Sequence, residues 1–277
     1  MIRRVVVSAL LLVLSPTLDA QQPTITEASS RDTVHFAFAT LLGTGIYQLD
    51  DRTVTIFRVP ISWTFREPTR EEFGIKLKVP IAIGLHNYDL LEELIPVSDQ
   101  LSTLSVVPGL ELEFLAGENW RVKPVGYLGF GTDLSRSDSA LIYGAGISAL
   151  RPLNFASPDM TFGAALLLNG YDPGSRSGDF ISRWSAGVDA KWPTRWHIDN
   201  RDVFVGGHVI GYYYMNQLEF RTIIDEPIKL RAEIEFGIFV GARPSPKIFG
   251  ITINRLGIGY RFSDVSDAIV LFAGFPF

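Results

Sequence analysis

The chain of 277 residues has no cysteine, which excludes a disulfide framework and a thiolate-ligated metal. Histidine is scarce too: His35, His86, His197 and His208. No zinc-ligand spacing, phosphate-binding loop or dinucleotide fingerprint is present, so no cofactor or metal is expected. There is no basic excess; the net charge is −5. Nucleic acid, which attracts basic surfaces, is therefore not an expected partner. Long apolar runs are lacking as well. The one strong run, Val5 to Leu14, falls short of the about 20 residues a membrane-spanning helix needs. Any membrane crossing must then be made by strands.

What stands at the start of the chain reads as an export signal. Arg3 and Arg4 precede the apolar run, and Leu18-Asp19-Ala20 offers a small residue before a cut ahead of Gln21. Loss of residues 1–20 removes two arginines and one aspartate and brings the net charge to about −6. Residues 21–32 then form a short periplasmic segment, and 33–277 the folded domain.

From Thr33 onward apolar residues recur at every second position. Phe73, Ile75, Leu77, Val79, Ile81, Ile83 and Leu85 face one way; Lys76, Lys78 and His86 face the other. Seven alternations in a row indicate a strand with one apolar face. The same period predicts strands at 33–41, 57–66, 104–114, 120–131, 139–151, 160–169, 180–192, 203–214, 228–241, 248–262 and 267–277. About twelve strands result, with 203–214 ambiguous in face. Connectors at 43–52 and 87–100 belong to the end that carries the longer loops. Within 87–100, residues 89–95 have helical spacing.

The fold class is therefore all-β: a transmembrane antiparallel up-and-down barrel of about twelve strands. The ring is too wide for side chains to fill as in an eight-stranded barrel. The apolar face is then assigned to lipid and the polar face to a wet lumen. The lumen would carry a charge network of Arg58, Lys76, Lys78, Glu111, Glu113, Arg121, Lys123, Arg183, Asp189, Lys191, Lys229, Arg231, Glu233, Glu235, Arg255 and Arg261. Pairing 104–114 with 120–131 about Gly117 sets Glu111 against Lys123 and Glu113 against Arg121. A turn near Pro244-Ser245 brings Arg255 to Glu233 or Glu235. The network reads as structural ion pairing in preference to a charged pore lining. Prolines 60, 80, 108 and 124 sit inside strands, where each forfeits a ladder hydrogen bond; the expected registers pair Pro60 with Pro80 and Pro108 with Pro124.

The last strand ends on Ile269, Leu271, Ala273, Phe275 and Phe277, alternating on one face. Such an ending, with Ile269, Leu271, Phe275 and Phe277 as its apolar row, resembles the assembly signal of bacterial outer-membrane barrels. Together with the export signal and the stretch Gly257-Ile258-Gly259-Tyr260-Arg261-Phe262, it resembles the solitary autotransporter-like barrels, a translocator-type barrel without a passenger. The resemblance covers essentially the whole mature chain and rests on layout. It implies a bacterial outer-membrane location, contact with membrane lipid, delivery by the barrel-assembly machinery through the C-terminal strand, and a monomer. It transfers no site residue. Only Gln21 to Asp32 precede the first expected strand, too few for a passenger.

The expected function is a non-enzymatic outer-membrane barrel. A narrow solute pore is the alternative. A rim hydrolase is a second one: His86, Asn87 and Asp89 fall at the loop end of a strand, and Ser175 and Ser177 in another loop beside Asp172 and Asp179 could supply a nucleophile.

Overall fold

The computed structural model describes residues 42–49, 52–87, 101–134, 139–155, 157–174, 178–220, 228–248 and 251–277. The export signal, the 21–32 segment, the strand expected at 33–41 and the 89–95 stretch lie outside them. Among the described residues no helix is long and apolar enough to cross a membrane. All regular structure among the described residues is strand: β1 (Thr44–Leu49), β2 (Arg52–Arg66), β3 (Gly74–Asn87), β4 (Leu101–Val106), β5 (Gly109–Ala116), β6 (Trp120–Asp133), β7 (Ser139–Leu153), β8 (Asp159–Asp172), β9 (Asp179–Ile198), β10 (Arg201–Phe220), β11 (Ile228–Arg243), β12 (Lys247–Ile248), β13 (Ile251–Thr252), β14 (Arg255–Phe262) and β15 (Ser266–Phe272).

The strands close into a barrel of twelve antiparallel staves. Chain neighbours pair all the way round, and β1 completes the ring by pairing with both β2 and β15. One stave is broken. Both β4 and β5 lie between β3 and β6, and the chain interrupts the ladder at Val107-Pro108. Proline has no amide hydrogen to give to the ladder, so the break falls where the sequence withdraws a donor. The flanking groups are still satisfied: Val107 donates to Pro80 O and Leu128 to Pro108 O, at 3.3 and 3.0 Å. β12 and β13 form a two-residue ladder of their own within the β11–β14 connection.

Several expected boundaries move. The connector expected at 43–52 holds β1 and the start of β2, joined at Leu49↔Arg52. The strand expected at 104–114 is the broken stave. Pro60 does face Pro80, but Pro124 faces Ile147 and not Pro108. In the β5–β6 hairpin Glu111 lies opposite Val125 and Leu115 opposite Arg121, a slip of two residues that keeps every side chain on its expected face. The β11–β14 connection is longer than expected, so Arg261, and not Arg255, meets Glu235 across the ladder. β15 stops at Phe272, and residues 273–277 leave the wall.

The longest staves, β9 and β10, run 20 residues each. Their hairpin turns on Asp199 and Asn200, both with positive φ, 48° and 57°. A two-residue loop matching strand twist requires that geometry, and Asp and Asn tolerate it better than most residues.

The two faces of the wall are chemically distinct. Pointing outward are Phe57, Val59, Trp63 and Phe65 on β2, Leu128 and Phe130 on β6, Ile234, Phe236, Ile238 and Val240 on β11, and Ile269 and Leu271 on β15. Their partners in the alternation are turned inward and most are buried or half-buried; Pro60, Ser62 and Thr64 on β2 are exposed.

Candidate functional site: the barrel lumen

The lumen has two levels. The upper one, towards the end where β1 turns into β2, is mainly apolar, although Asp133 and Asn169 are also buried there. Tyr47, Val54, Ile56, Ile142, Tyr171, Ile181, Ile210, Tyr214, Leu230, Ala268 and Val270 form one packed cluster, each at most 7% exposed. A water-filled passage would leave its lining accessible, and these side chains are not. The expectation of a wet lumen is corrected at this level. A twelve-stranded ring is indeed wide, but tyrosines and branched aliphatic side chains span it. The folded protein in a planar bilayer is expected to show no steady single-channel conductance; regular opening steps would contradict a lumen closed by this layer.

Below that layer the inward side chains are charged. Glu235 is the hub. It lies opposite Arg261 in the ladder, and Arg261 donates to its Oε2 from Nε at 3.0 Å and from Nη2 at 2.7 Å. Tyr212 donates to the same oxygen at 3.0 Å and accepts from Arg261 Nη2 at 3.2 Å. His208 Nε2 lies 2.9 Å from Oε1. Glu233 accepts from Tyr214 at 2.8 Å and sits 3.8 Å from Arg261 Nη1. The Arg261 guanidinium also stacks on the Tyr212 ring, 4.3 Å from its centroid. Charge-assisted bonds of this kind are the strong ones, and every member is at most 5% exposed.

Two further clusters complete the level. Arg255 pairs with Asp189, which Lys191 also approaches at 3.4 Å. Lys78 pairs with Glu111, with Lys76 at 3.8 Å. On the more exposed rim Arg121 meets Glu113 at 3.1 Å.

Most of the expected charge network is therefore on the inner face, but its partners differ. Glu111 is taken by β3 lysines, not Lys123. Lys123 donates to the main-chain oxygen of Phe277 at 2.6 Å. Arg255 reaches β9 and not Glu233 or Glu235. Lys229 and Arg231 are not in the network: both are exposed, and Arg231 donates to the outward-facing Tyr213 at 3.3 Å. The β10–β11 ladder is irregular between Tyr213↔Ala232 and Leu218↔Leu230. Beyond that irregularity the inward parity changes, so Leu230 is buried at 2% where a lysine or arginine was expected to point in.

The tail after β15 is the other surprise. Ile269 and Leu271 face outward, 51% and 54% exposed, whereas Phe277 is 7% exposed inside the barrel. Its ring packs edge-on against Phe275, centroids 4.7 Å apart. Phe275 in turn lies 6.2 Å from the His208 ring and 5.6 Å from the Arg255 guanidinium. A Cβ on Gly163 of β8 would stand 2.5 Å from the Phe277 ring, so that position must stay glycine for the ring to lie there. The expected assembly row is thus split: two members point to the outside and two into the lumen.

Between the tail and the wall remains a cavity of about 410 Å³. Its charged lining is Arg58, Lys78, Arg183 and Arg261 with Glu111 and Glu235; Tyr127, Tyr212 and His208 add polar edges. Sequence reasoning missed Tyr47, Tyr212 and Tyr214. Each lies on the inward parity of its strand, which becomes visible only once the register is known. Of the residues considered for a rim hydrolase, Ser175, Ser177, Asp89 and the side chains of His86, Asn87 and Asp179 lie outside the described residues. His208 is a buried hydrogen-bonder, and exposed His197 pairs with Asp202 at 3.0 Å on the β9–β10 hairpin. No protein-family model matches the chain, and no curated protein matches it.

Proposed function

We propose that the chain is an integral outer-membrane β-barrel protein, non-enzymatic and closed to free diffusion by its own packing. The observation that carries this is the outer wall. Phe65, Phe130 and Ile238 are 68–69% exposed, in unbroken rows that run round many staves. A water-soluble monomer rarely exposes contiguous apolar surface beyond a few hundred Å², whereas a barrel in lipid requires such a band. The leader-like run at 1–20 supports export. Kinship with autotransporter-like barrels belongs to this proposal as architecture alone. Secretion of a passenger is no part of it, because the lumen is occupied by tyrosines, ion pairs and the 273–277 tail. Lipid contact and delivery by the assembly machinery to the outer membrane as a monomer follow from the same reading.

Ile238→Arg tests it. On a lipid-facing strand near mid-depth an arginine costs about 2–4 kcal/mol; on a water-facing surface the same change stays within about 0.5 kcal/mol. Equilibrium unfolding from phospholipid vesicles is expected to show the larger value. Stability equal to the wild type would reject lipid contact at this face.

A further inference from the structure

We propose that the outer wall seats one membrane phospholipid, with an acyl chain in a groove across β8 to β15 and the phosphate on Arg151. The proposal rests on the lipid-facing reading of that wall. The groove measures about 730 Å³ and its lining is almost wholly apolar. It comes from one row of the ladder. Ala190 on β9 and Gly207 on β10 stand opposite each other, with Met160 beyond the first and Ile238 beyond the second. A methyl and a hydrogen in the middle of the row leave a trough between larger side chains. Trp192, Phe236 and Ile238 rise beside it, 45%, 50% and 69% exposed. Ala190 and Gly207 are only half-buried, on the outward parity of their strands. Ile258 and Tyr260 on β14 and Ile269 on β15 carry the trough onward. It therefore crosses six staves, roughly 24 Å at the usual strand spacing. A long apolar trough suits an extended hydrocarbon chain better than a compact ligand.

A cation at one end selects the other half of the ligand. The adjoining row runs Phe236, Val209, Val188 and Phe162, and it continues onto β7 at Arg151, which lies opposite Phe162. Arg151 is exposed and stands two residues before the end of β7, so it sits at the rim, the depth at which headgroups meet arginine and tryptophan. Its guanidinium lies over the Trp120 ring, 5.5 Å from the centroid, and Trp120 packs edge-on against Phe162 at 6.4 Å. Stacking holds the guanidinium plane and leaves its N–H fork for a planar or phosphate acceptor. Among the described residues no carboxylate pairs with Arg151. Asp159, the acidic residue beside Met160, takes the inward parity and is engaged by Arg243 at 3.3 Å. An unneutralised guanidinium at the rim end of an apolar trough is the complement of a phosphate carrying an acyl chain.

The test uses the full folded chain in maltoside micelles, read by native mass spectrometry with three probes: palmitoyl-oleoyl phosphatidylglycerol, the matching diacylglycerol without phosphate, and glycerol phosphate without chains. One phosphatidylglycerol per barrel is expected to bind about tenfold more tightly than either of the others, the scale of a charge-assisted phosphate contact added to a buried chain. Diacylglycerol bound as tightly would overturn the role of Arg151, and glycerol phosphate bound as tightly would overturn the trough. Lipids adding in an even series with no preferred first one would overturn a discrete site. Arg151→Gln is expected to weaken the phospholipid about tenfold, and Ala190→Phe to remove the bound lipid by filling the trough. Arg231→Gln, at the opposite rim, should leave binding unchanged; a loss equal to that of Arg151→Gln would reduce the effect to overall charge. Unchanged binding in folded Arg151→Gln or Ala190→Phe would also reject the assignment. Should a variant fail to fold, the wild-type comparison of phospholipid with diacylglycerol still decides. The membrane reading fails separately: if Ile238→Arg costs stability in vesicles but no lipid is held at a preferred site, the wall still faces lipid and only this site is lost.

Discussion

Arg261→Ala is expected to lower folding stability by about 3–5 kcal/mol, the scale seen when one partner of a buried ion pair is removed. The reason lies in what remains. Arg261 gives Glu235 two hydrogen bonds, at 3.0 and 2.7 Å, and lies 3.8 Å from Glu233. Both carboxylates are buried, 3% and 4% exposed. Without the guanidinium, two negative charges share a dry layer, and Tyr212 loses both a hydrogen bond and a stacked cation. Removing the charge from both sides should cost far less. The double change Arg261→Met and Glu235→Gln keeps the volumes and deletes the buried pair, and such replacements are often neutral. Chemical unfolding in micelles compares the three proteins. Arg261→Ala within about 0.5 kcal/mol of the wild type, the range of an ordinary surface substitution, would mean that the network is wet and weak.

That result bears on how much of this molecule could be read from its residues. The strands at 57–66, 73–86, 120–131, 180–192 and 228–241 are legible because their two faces differ: apolar against charged or small. Where both faces are apolar, the period loses contrast. From its residues β1 reads as a connector, because Ile46 points out and Tyr47 points in, and both are apolar, while Asp50-Asp51 looks like loop. The 203–214 segment was ambiguous for the same reason: Val205 and Val209 face outward while Ile210, Tyr212 and Tyr214 fill the lumen. The packed upper layer was therefore invisible from the residues alone. Its members look like lipid-facing residues, and only the register shows that they share the inner parity.

Ion pairs were legible as a class and not as partners. Which face a charge occupies follows from parity, and parity survived a two-residue slip in the β5–β6 hairpin. Who meets whom depends on turn lengths and on interruptions such as the Val107-Pro108 break. It also depends on neighbours three staves away, as with Arg255 and Asp189. Lys229 and Arg231 mark the limit: one irregularity in the β10–β11 ladder moved both out of the lumen.

Phe277→Ala is expected to destabilise the refolded protein by about 3–5 kcal/mol, the usual cost of emptying a buried phenylalanine site. Period two alone could not have placed this ring, because Phe275 and Phe277 continue the row of Ile269 and Leu271 without a break. The contrary signs were Gly274, which gives the chain freedom to turn, and Pro276, which withholds a ladder donor. An assembly signal and a lumen-packing residue make different demands on the same side chain. A signal acts on the unfolded chain before insertion, so its loss lowers the amount of barrel in the membrane and leaves the stability of refolded protein untouched. A packing residue acts in the folded state: its loss opens a void beside Gly163 and Phe275 and loosens the segment whose main-chain oxygen holds Lys123. Unfolding of purified, refolded Phe277→Ala separates the two. Phe277→Leu should recover roughly half of the loss, since it restores part of the volume. If Phe277→Ala unfolds within about 0.5 kcal/mol of the wild type and only its yield in cells falls, the ring serves assembly alone. The tail would then not hold the lumen closed. The combination expected from the contacts is a loss of stability in micelles, whatever happens to the yield.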